Sequence, residues 1–194
     1  MKLWPESQCQ FQGELPERRQ QVMSFTIVSN EFSSQLQRYS SFSKLKRICA
    51  YCLRFSANCR NPENRQVGSL SVSELDRSLK ALVKISQQDS FQTEIHSLRK
   101  GISQIKGKLL NLNPFLDPDD ILRVGGRLQR SHFSFDKKHP IVLSSSHYLT
   151  KLMFQFEHKR LFHAGPQLLL SSIREHFWAV GGSKFSKKRP FMIV

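Results

Sequence analysis

Apolar residues recur at helical spacing over most of residues 41–100, and this periodicity constrains the fold more than any other feature of the sequence. Ser71 followed by Glu74 fits the capping-box pattern that starts a helix. Gly101 is a natural helix stop, because glycine adopts the left-handed backbone that often ends a helix. The pattern predicts three helices, over 41–60, 72–88 and 90–100.

The pattern changes from residue 107 onward, where an apolar segment with Pro114 and Pro118 has no helical periodicity. Short strands are predicted at 121–124, entering a tight turn at Gly125-Gly126, and at 139–144. Two more helices are predicted from His147 to Leu161 and from Pro166 to Phe177, with an extended segment at 178–180. The predicted fold class is therefore α+β, mainly α with a few short strands.

The same patterns divide the chain into four segments. A mainly helical segment is followed by a short-strand segment and then by a small helical module. Residues 22–28 indicate one short strand within an otherwise irregular arm. The predicted segments are 1–40 (arm), 41–106 (mainly helical), 107–145 (short strands with the RVGG turn) and 146–194 (small helical module).

Charge favours an anionic partner. The chain has 30 Lys and Arg against 15 Asp and Glu, a formal net charge of +15, so non-specific electrostatic binding of nucleic acid is predicted. No apolar run approaches the roughly 18 residues that a membrane span needs, and the N-terminus lacks the apolar core of a signal peptide. We therefore expect an intracellular protein with no membrane partner. Its four cysteines are too few for a disulfide framework and are predicted to be reduced.

Four ordered blocks of sequence resemble one known family. HSLRKG is followed by LLNLNPFLDPDDILRVGGRL, then by HPIVLSSSHYLTKL, and then by an H-x4-H pair within HKRLFHAGPQLLLSSIREHFWAVGG. Together they resemble the polyprotein of BEL/Pao-type LTR retrotransposons between the RNase H and the integrase core. RYSSFSKLKRICAYCLRF resembles the connector before that integrase, so the resemblance covers about residues 30 to 182.

The resemblance implies that 41–106 is the helical connector. It also implies that 146–194 is the N-terminal zinc-binding domain of the integrase, a helical H2C2 module with two histidine and two cysteine ligands. It implies that His158 and His163 are the histidine pair. In the family a Cys-x2-Cys pair follows shortly after the position of Gly181-Gly182, but this sequence has no cysteine after Cys59. We therefore expect a truncated module with a metal half-site that does not bind zinc tightly.

The spacing of the two histidines sets a condition on the backbone. Residues five apart on a regular helix point about 140° away from each other, so both can reach one ion only if the helix ends between them. Gly165-Pro166 predicts such an ending. His147 would lie on the order of 16 Å from His158 along an intact helix, too far to share an ion. The alternative is that His158 and His163 are ordinary polar residues at a helix end.

Other motifs have simpler interpretations. Cys49-x2-Cys52 has metal-ligand spacing but lies within a helical pattern, which favours thiols that act as small apolar residues. The carboxylates of Asp117, Asp119 and Asp120 indicate a turn and not a two-metal site. No catalytic motif is present, so the chain is not expected to be an enzyme. A basic run predicts phosphate contacts, with a solvated tail as the alternative; it comprises Lys184, Lys187, Lys188 and Arg189.

Three functional hypotheses follow. The first is a non-catalytic part of a retrotransposon polyprotein, with an expected role in DNA integration through nucleic-acid binding or integrase multimerisation. The second is a protein–protein interaction module, in which helices over 72–100 and 147–177 pair with another copy or with other parts of a polyprotein. The third is a remnant reading frame that makes no stable protein.

Overall fold

Two long helices form the first half of the fold. In the computed structural model α1 spans Phe42–Arg60 and α2 spans Val72–Arg99. Ser71 and Glu74 form the predicted capping box, in which each side chain bonds the other residue's backbone N–H. The predicted helical character of this half is thus confirmed. The structure describes residues 36–101, 107, 109–126 and 132–181.

The second and third predicted helices are joined into one. Phe91 has a non-helical backbone (φ −139°, ψ 30°), so α2 bends near the predicted break and then continues to Arg99. The Phe91 ring is buried in a cluster with Ile95 and Val142. The predicted boundary is therefore a kink rather than a gap, and Gly101 lies just beyond the helix with a φ of +75°.

A four-stranded sheet lies between the helices, in the spatial order β1-β2-β3-β4. β1 pairs antiparallel with β2 as a hairpin, β2 pairs antiparallel with β3, and β3 pairs parallel with β4. A parallel pair needs a crossover connection, which here contains the last two helices. The strands are β1 (Pro114–Leu116), β2 (Leu122–Val124), β3 (Ile141–Ser144) and β4 (Phe177–Val180).

The remaining helices lie in the second half of the chain. They are α3 (Phe135–Lys138), α4 (Tyr148–Arg160) and α5 (Pro166–Arg174). Strand β1 and helix α3 were not predicted. The predicted end of the last helix is wrong, because Phe177 lies in β4 and not in the preceding helix. Helix α5 ends at Arg174 because Phe177 pairs with Ile141 of the sheet, and this pairing competes with continued helix.

The core joins α1 and α2 to the elements in the second half of the chain. The largest cluster brings together side chains of α1, α2, β3 and α4, including Leu45, Leu82, Leu143 and Leu152. A smaller cluster of Phe154, Leu169 and Ile173 holds α4 against α5. Burial of these apolar faces is the main stabilising contribution to the arrangement.

The predicted α+β class is confirmed, because helices dominate and the sheet is small. Within the described ranges no helix is long and apolar enough to cross a membrane. The strand predicted over 22–28 lies outside the described residues.

Candidate functional site

The two histidines singled out by the sequence meet where α4 ends. The helix stops at Arg160, and Phe162 and His163 adopt left-handed backbone, with φ of +50° and +63°. This reversal brings the His163 N–H to the His158 carbonyl at 2.9 Å. Gly165 and Pro166 then start α5, with the proline in the first turn, where its missing N–H costs nothing. The helix therefore ends between His158 and His163, as the five-residue spacing requires if both side chains are to reach one ion.

The imidazole rings of His158 and His163 lie against each other. Nδ1 of His163 is 3.2 Å from Nε2 of His158, and the ring centroids are 4.9 Å apart at an angle of 77°. This is a hydrogen-bond distance, in which one ring donates and the other accepts. His163 is exposed and His158 half-buried, so a solute can approach the pair from the His163 side.

The nitrogen separation also bears on whether the pair could hold zinc. Two ligand atoms bonded at ~2.0 to 2.1 Å to one tetrahedral ion lie about 3.3 Å apart, close to the separation seen here. The separation alone is therefore compatible with two of the four positions of a zinc site. In the part of the chain that the structure describes, no group of three or more His, Cys, Asp or Glu side chains could hold a metal ion. These residues do not complete a zinc site.

A polar brace fixes the end of α4 to α5 beside His158. Arg160 Nε donates to Glu157 Oε2 at 2.9 Å, and the Ser172 hydroxyl donates to Glu157 Oε1 at 2.6 Å. The bond from Arg160 is the main reason why the pKa of Glu157 is held below its ordinary value of 4.5. The brace keeps the turn that carries His163 in one position. Sequence reasoning missed it, although the i, i+3 spacing of Glu157 and Arg160 was a usable signal.

His147 has a structural role away from the pair. Its Nδ1 accepts a hydrogen bond from the Leu149 N–H at 3.2 Å, so it caps α4. Its Nε2 lies 3.3 Å from a carboxylate oxygen of Asp89, which ties the start of α4 to the kink region of α2. Burial lowers the pKa of His147, and Asp89 opposes this shift. The neutral ring, with its proton on Nε2, satisfies both contacts.

The cysteines of α1 occupy different environments. The Cys49 thiol donates to the Ser78 carbonyl at 3.8 Å, and burial together with the nearby Cys52 raises the pKa of Cys49 to about 11. A thiol that stays protonated is a poor metal ligand. Cys52 and Cys59 are exposed, so the interpretation as a buried apolar residue is wrong for Cys52. The placement of Cys49 agrees with the interpretation as a small apolar residue.

The three aspartates lie in the turn between β1 and β2, as the sequence indicated. Asp117 accepts a hydrogen bond from the Ile121 N–H at 2.9 Å and forms a buried ion pair with Arg123 at 2.6 Å. Asp119 pairs with Lys80 and Asp120 pairs with Arg99. Each carboxylate thus has its own cation, and the three do not converge on one point.

The basic run of Lys184, Lys187, Lys188 and Arg189 lies outside the described residues, so its role in phosphate binding stays a prediction.

Comparison with protein families, with curated proteins and with solved structures finds no match to this chain.

Proposed function

We propose that this chain is a non-catalytic part of a BEL/Pao-type retrotransposon polyprotein, in which a helical connector carries a module that resembles the integrase zinc-binding domain. Its role is to bind nucleic acid electrostatically or to help integrase multimerise during DNA integration. The observation that carries the proposal is the contact between His158 and His163 across the end of α4. An H-x4-H pair needs this backbone reversal before its two rings can serve one ion.

The electrostatics of the chain support the nucleic-acid part of the proposal. A net charge of +15 over 194 residues attracts phosphate backbones, because each phosphate contact releases condensed counterions. No element of the proposal requires base-specific contacts. The basic run over 184–189 adds cations shortly after β4 in the sequence.

A metal titration tests the half-site that the resemblance implies. We expect weak binding of Zn²⁺ or Co²⁺, because two neutral imidazoles supply neither the anionic charge nor the four donors of a closed site. Replacing either ligand with alanine, in H158A or H163A, should abolish that binding. His96→Ala is the matched control, since His96 is exposed and lies in α2, outside the α4–α5 turn.

Two results would contradict the assignment. Stoichiometric zinc that survives a chelator would mean that a closed site exists, with ligands beyond the histidine pair. Equal metal binding by the wild type and by both variants of the pair would mean that His158 and His163 are ordinary polar residues at a helix end.

A protein–protein interaction module is the second candidate, and one surface favours it. Phe162 is 93% exposed and Leu168 is also exposed, and both flank the α4–α5 turn. In α2, by contrast, Leu82, Val83 and Phe91 are buried inside the fold, and the exposed large apolar side chain is Val72 at the first residue of the helix. Self-association, if it occurs, is therefore expected through the α4–α5 turn. Light scattering at two concentrations tests self-association, because a strictly monomeric particle excludes it.

A further inference from the structure

Two aromatic side chains stand exposed on the outer face of α1. The Tyr51 side chain is 46% exposed and the Phe55 side chain 66%, while Leu45 and Ala50 on the other face are buried. Residues four apart on a helix are neighbours on one face and are separated by about 6 Å along its axis. Tyr51 and Phe55 therefore form a pair of adjacent rings directed away from the core.

The Tyr51 ring is held in place by an anchored cation. The guanidinium carbon of Arg54 lies 5.7 Å from the ring centroid. Arg54 donates two hydrogen bonds of 2.6 Å to the carboxylate of Glu74 and one each to the carbonyls of Gly68 and Ser69, at 2.7 and 2.9 Å. Its side chain is only 9% exposed. A ring braced by a fixed group loses little conformational entropy when a ligand stacks on it.

The charge on this helix is of one sign. Helix α1 contains five basic residues and no Asp or Glu; the five are Lys44, Lys46, Arg47, Arg54 and Arg60. Lys46 pairs with Asp76 at 3.7 Å. Lys44 and Arg47 are exposed, and neither forms an ion pair with another described residue. Both line a shallow groove of about 420 Å³ that runs up to Tyr51.

We propose that this face of α1 binds single-stranded nucleic acid, with bases stacked on Tyr51 and Phe55 and phosphates contacted by Lys44 and Arg47. Exposed aromatic rings beside a positively charged groove are the features that single-strand-binding proteins share. A duplex offers its phosphates but keeps its bases stacked internally, so the rings add affinity only for the single strand. The inference rests on the proposed function, because it names the nucleic acid and the surface that this chain would use.

The surface fits other partners less well. A second copy of α1 would bring like charges together, which opposes self-association through this face. If α1 docked into the groove of a protein partner, it would need exposed apolar anchors at i, i+3 or i+4, and i+7. The exposed large apolar side chains of α1 are only Tyr51 and Phe55. Two rings between cations suit flat bases better than they suit an aliphatic helix.

The test uses the full chain and two labelled probes, a single-stranded oligodeoxythymidylate of about 20 nucleotides and a duplex of the same length. In Tyr51→Ala and Phe55→Ala we expect single-strand affinity to fall about fivefold or more for each ring removed. Duplex affinity should change less than about twofold. Tyr51→Phe keeps the ring and should retain wild-type binding. Phe133→Ala removes an exposed ring that also lies beside a cation, Lys137, but is outside α1, and it is the matched control.

A charge variant separates the two contributions. Replacing Lys44 and Arg47 with glutamine should weaken binding to both probes and reduce the dependence of single-strand affinity on salt, by about 0.7 in the log–log slope for each phosphate that the variant no longer neutralises. The ring variants should leave that slope unchanged. Thermal melting followed by circular dichroism checks that each variant is folded.

Unchanged single-strand affinity in the double variant Tyr51→Ala/Phe55→Ala would overturn the inference and leave the proposed function standing. The same holds if that variant instead loses binding to an acidic helical peptide, because the face would then belong to a protein partner. If the wild-type chain binds neither probe at low salt, both the inference and the nucleic-acid part of the proposed function fail.

Discussion

At the scale of single residues, one buried amide joins two strands that barely pair. Strands β2 and β3 share a single register pair, Arg123 with Ile141. The Gln87 side chain accepts from the Leu122 N–H at 2.9 Å and donates to the carbonyls of Leu122 and Val142, both at 2.8 Å. It thus supplies hydrogen bonds that a longer ladder would otherwise provide.

Replacing Gln87 with alanine should lower the free energy of unfolding by about 2 to 4 kcal/mol, because buried backbone groups lose their partners. Urea denaturation measures the change. The neighbouring residue Gln88 is exposed, so Gln88→Ala is the control. Substitutions of exposed residues usually change the free energy of unfolding by no more than about 0.5 kcal/mol. Equal effects of the two substitutions would show that the amide does not join the strands.

Gly125 meets a steric limit that Gly126 does not. The Gly125 N–H donates to the Asn113 carbonyl at 3.0 Å, and a Cβ at Gly125 would collide with that same oxygen. A Cβ at Gly126 would meet nothing within 4 Å. Gly125→Ala should therefore destabilise the fold by about 1 to 3 kcal/mol, while Gly126→Ala should be neutral or slightly stabilising. Equal unfolding midpoints for the two variants would contradict this close approach.

At the scale of elements, the contact between α4 and the α2 kink should respond to pH. His147 caps α4 as a neutral ring, and burial lowers its pKa below the ordinary 6.5. The unfolded chain therefore takes up this proton at a higher pH than the folded chain does. The stability that neutral His147 contributes is complete above pH 6.5 and is lost as the pH falls through the lower, folded pKa.

Denaturation at several pH values between roughly 7 and 5 tests this linkage. His147→Asn keeps a good N-cap residue and removes the titrating group, so its stability should decline less with acid than that of the wild type. His96→Asn, which replaces an exposed histidine of α2, should retain the wild-type dependence. Parallel pH profiles for all three proteins would rule out this role of His147.

Elements signalled by local sequence were predicted, including β2, β3 and most of β4, whereas β1 and the contacts between distant residues were not. The capping box at Ser71 and the ending before Pro166 are signals within a few residues, so the starts of α2 and α5 and the reversal at His163 followed from them. The predicted break within α2 and the predicted end of α5 at Phe177 were wrong. Strand β1 has three residues and depends on its partner β2, and no periodicity can appear over so short a segment. The same reason hid Gln87, whose partners lie 35 and 55 positions away.

At the scale of the whole molecule, the nucleic-acid part of the proposed function depends on the excess of positive charge on the chain. The candidate site was predictable as far as the histidine pair, because a helix end is a local event. The braced Tyr51 ring was not predictable, because Arg54 is anchored by carbonyls and a carboxylate 14 to 20 positions away. Charge itself needs no fold to be counted, so its consequence can be measured on the intact protein.

The affinity of the full chain for labelled duplex DNA, measured over a series of salt concentrations, tests the central claim most directly. The logarithm of the binding constant should fall linearly with the logarithm of the salt concentration. About four phosphate contacts would reduce affinity about a hundredfold between roughly 50 and 200 mM salt. No binding at the lowest salt, or binding that does not change with salt, would contradict the claim that this protein binds nucleic acid through its charge.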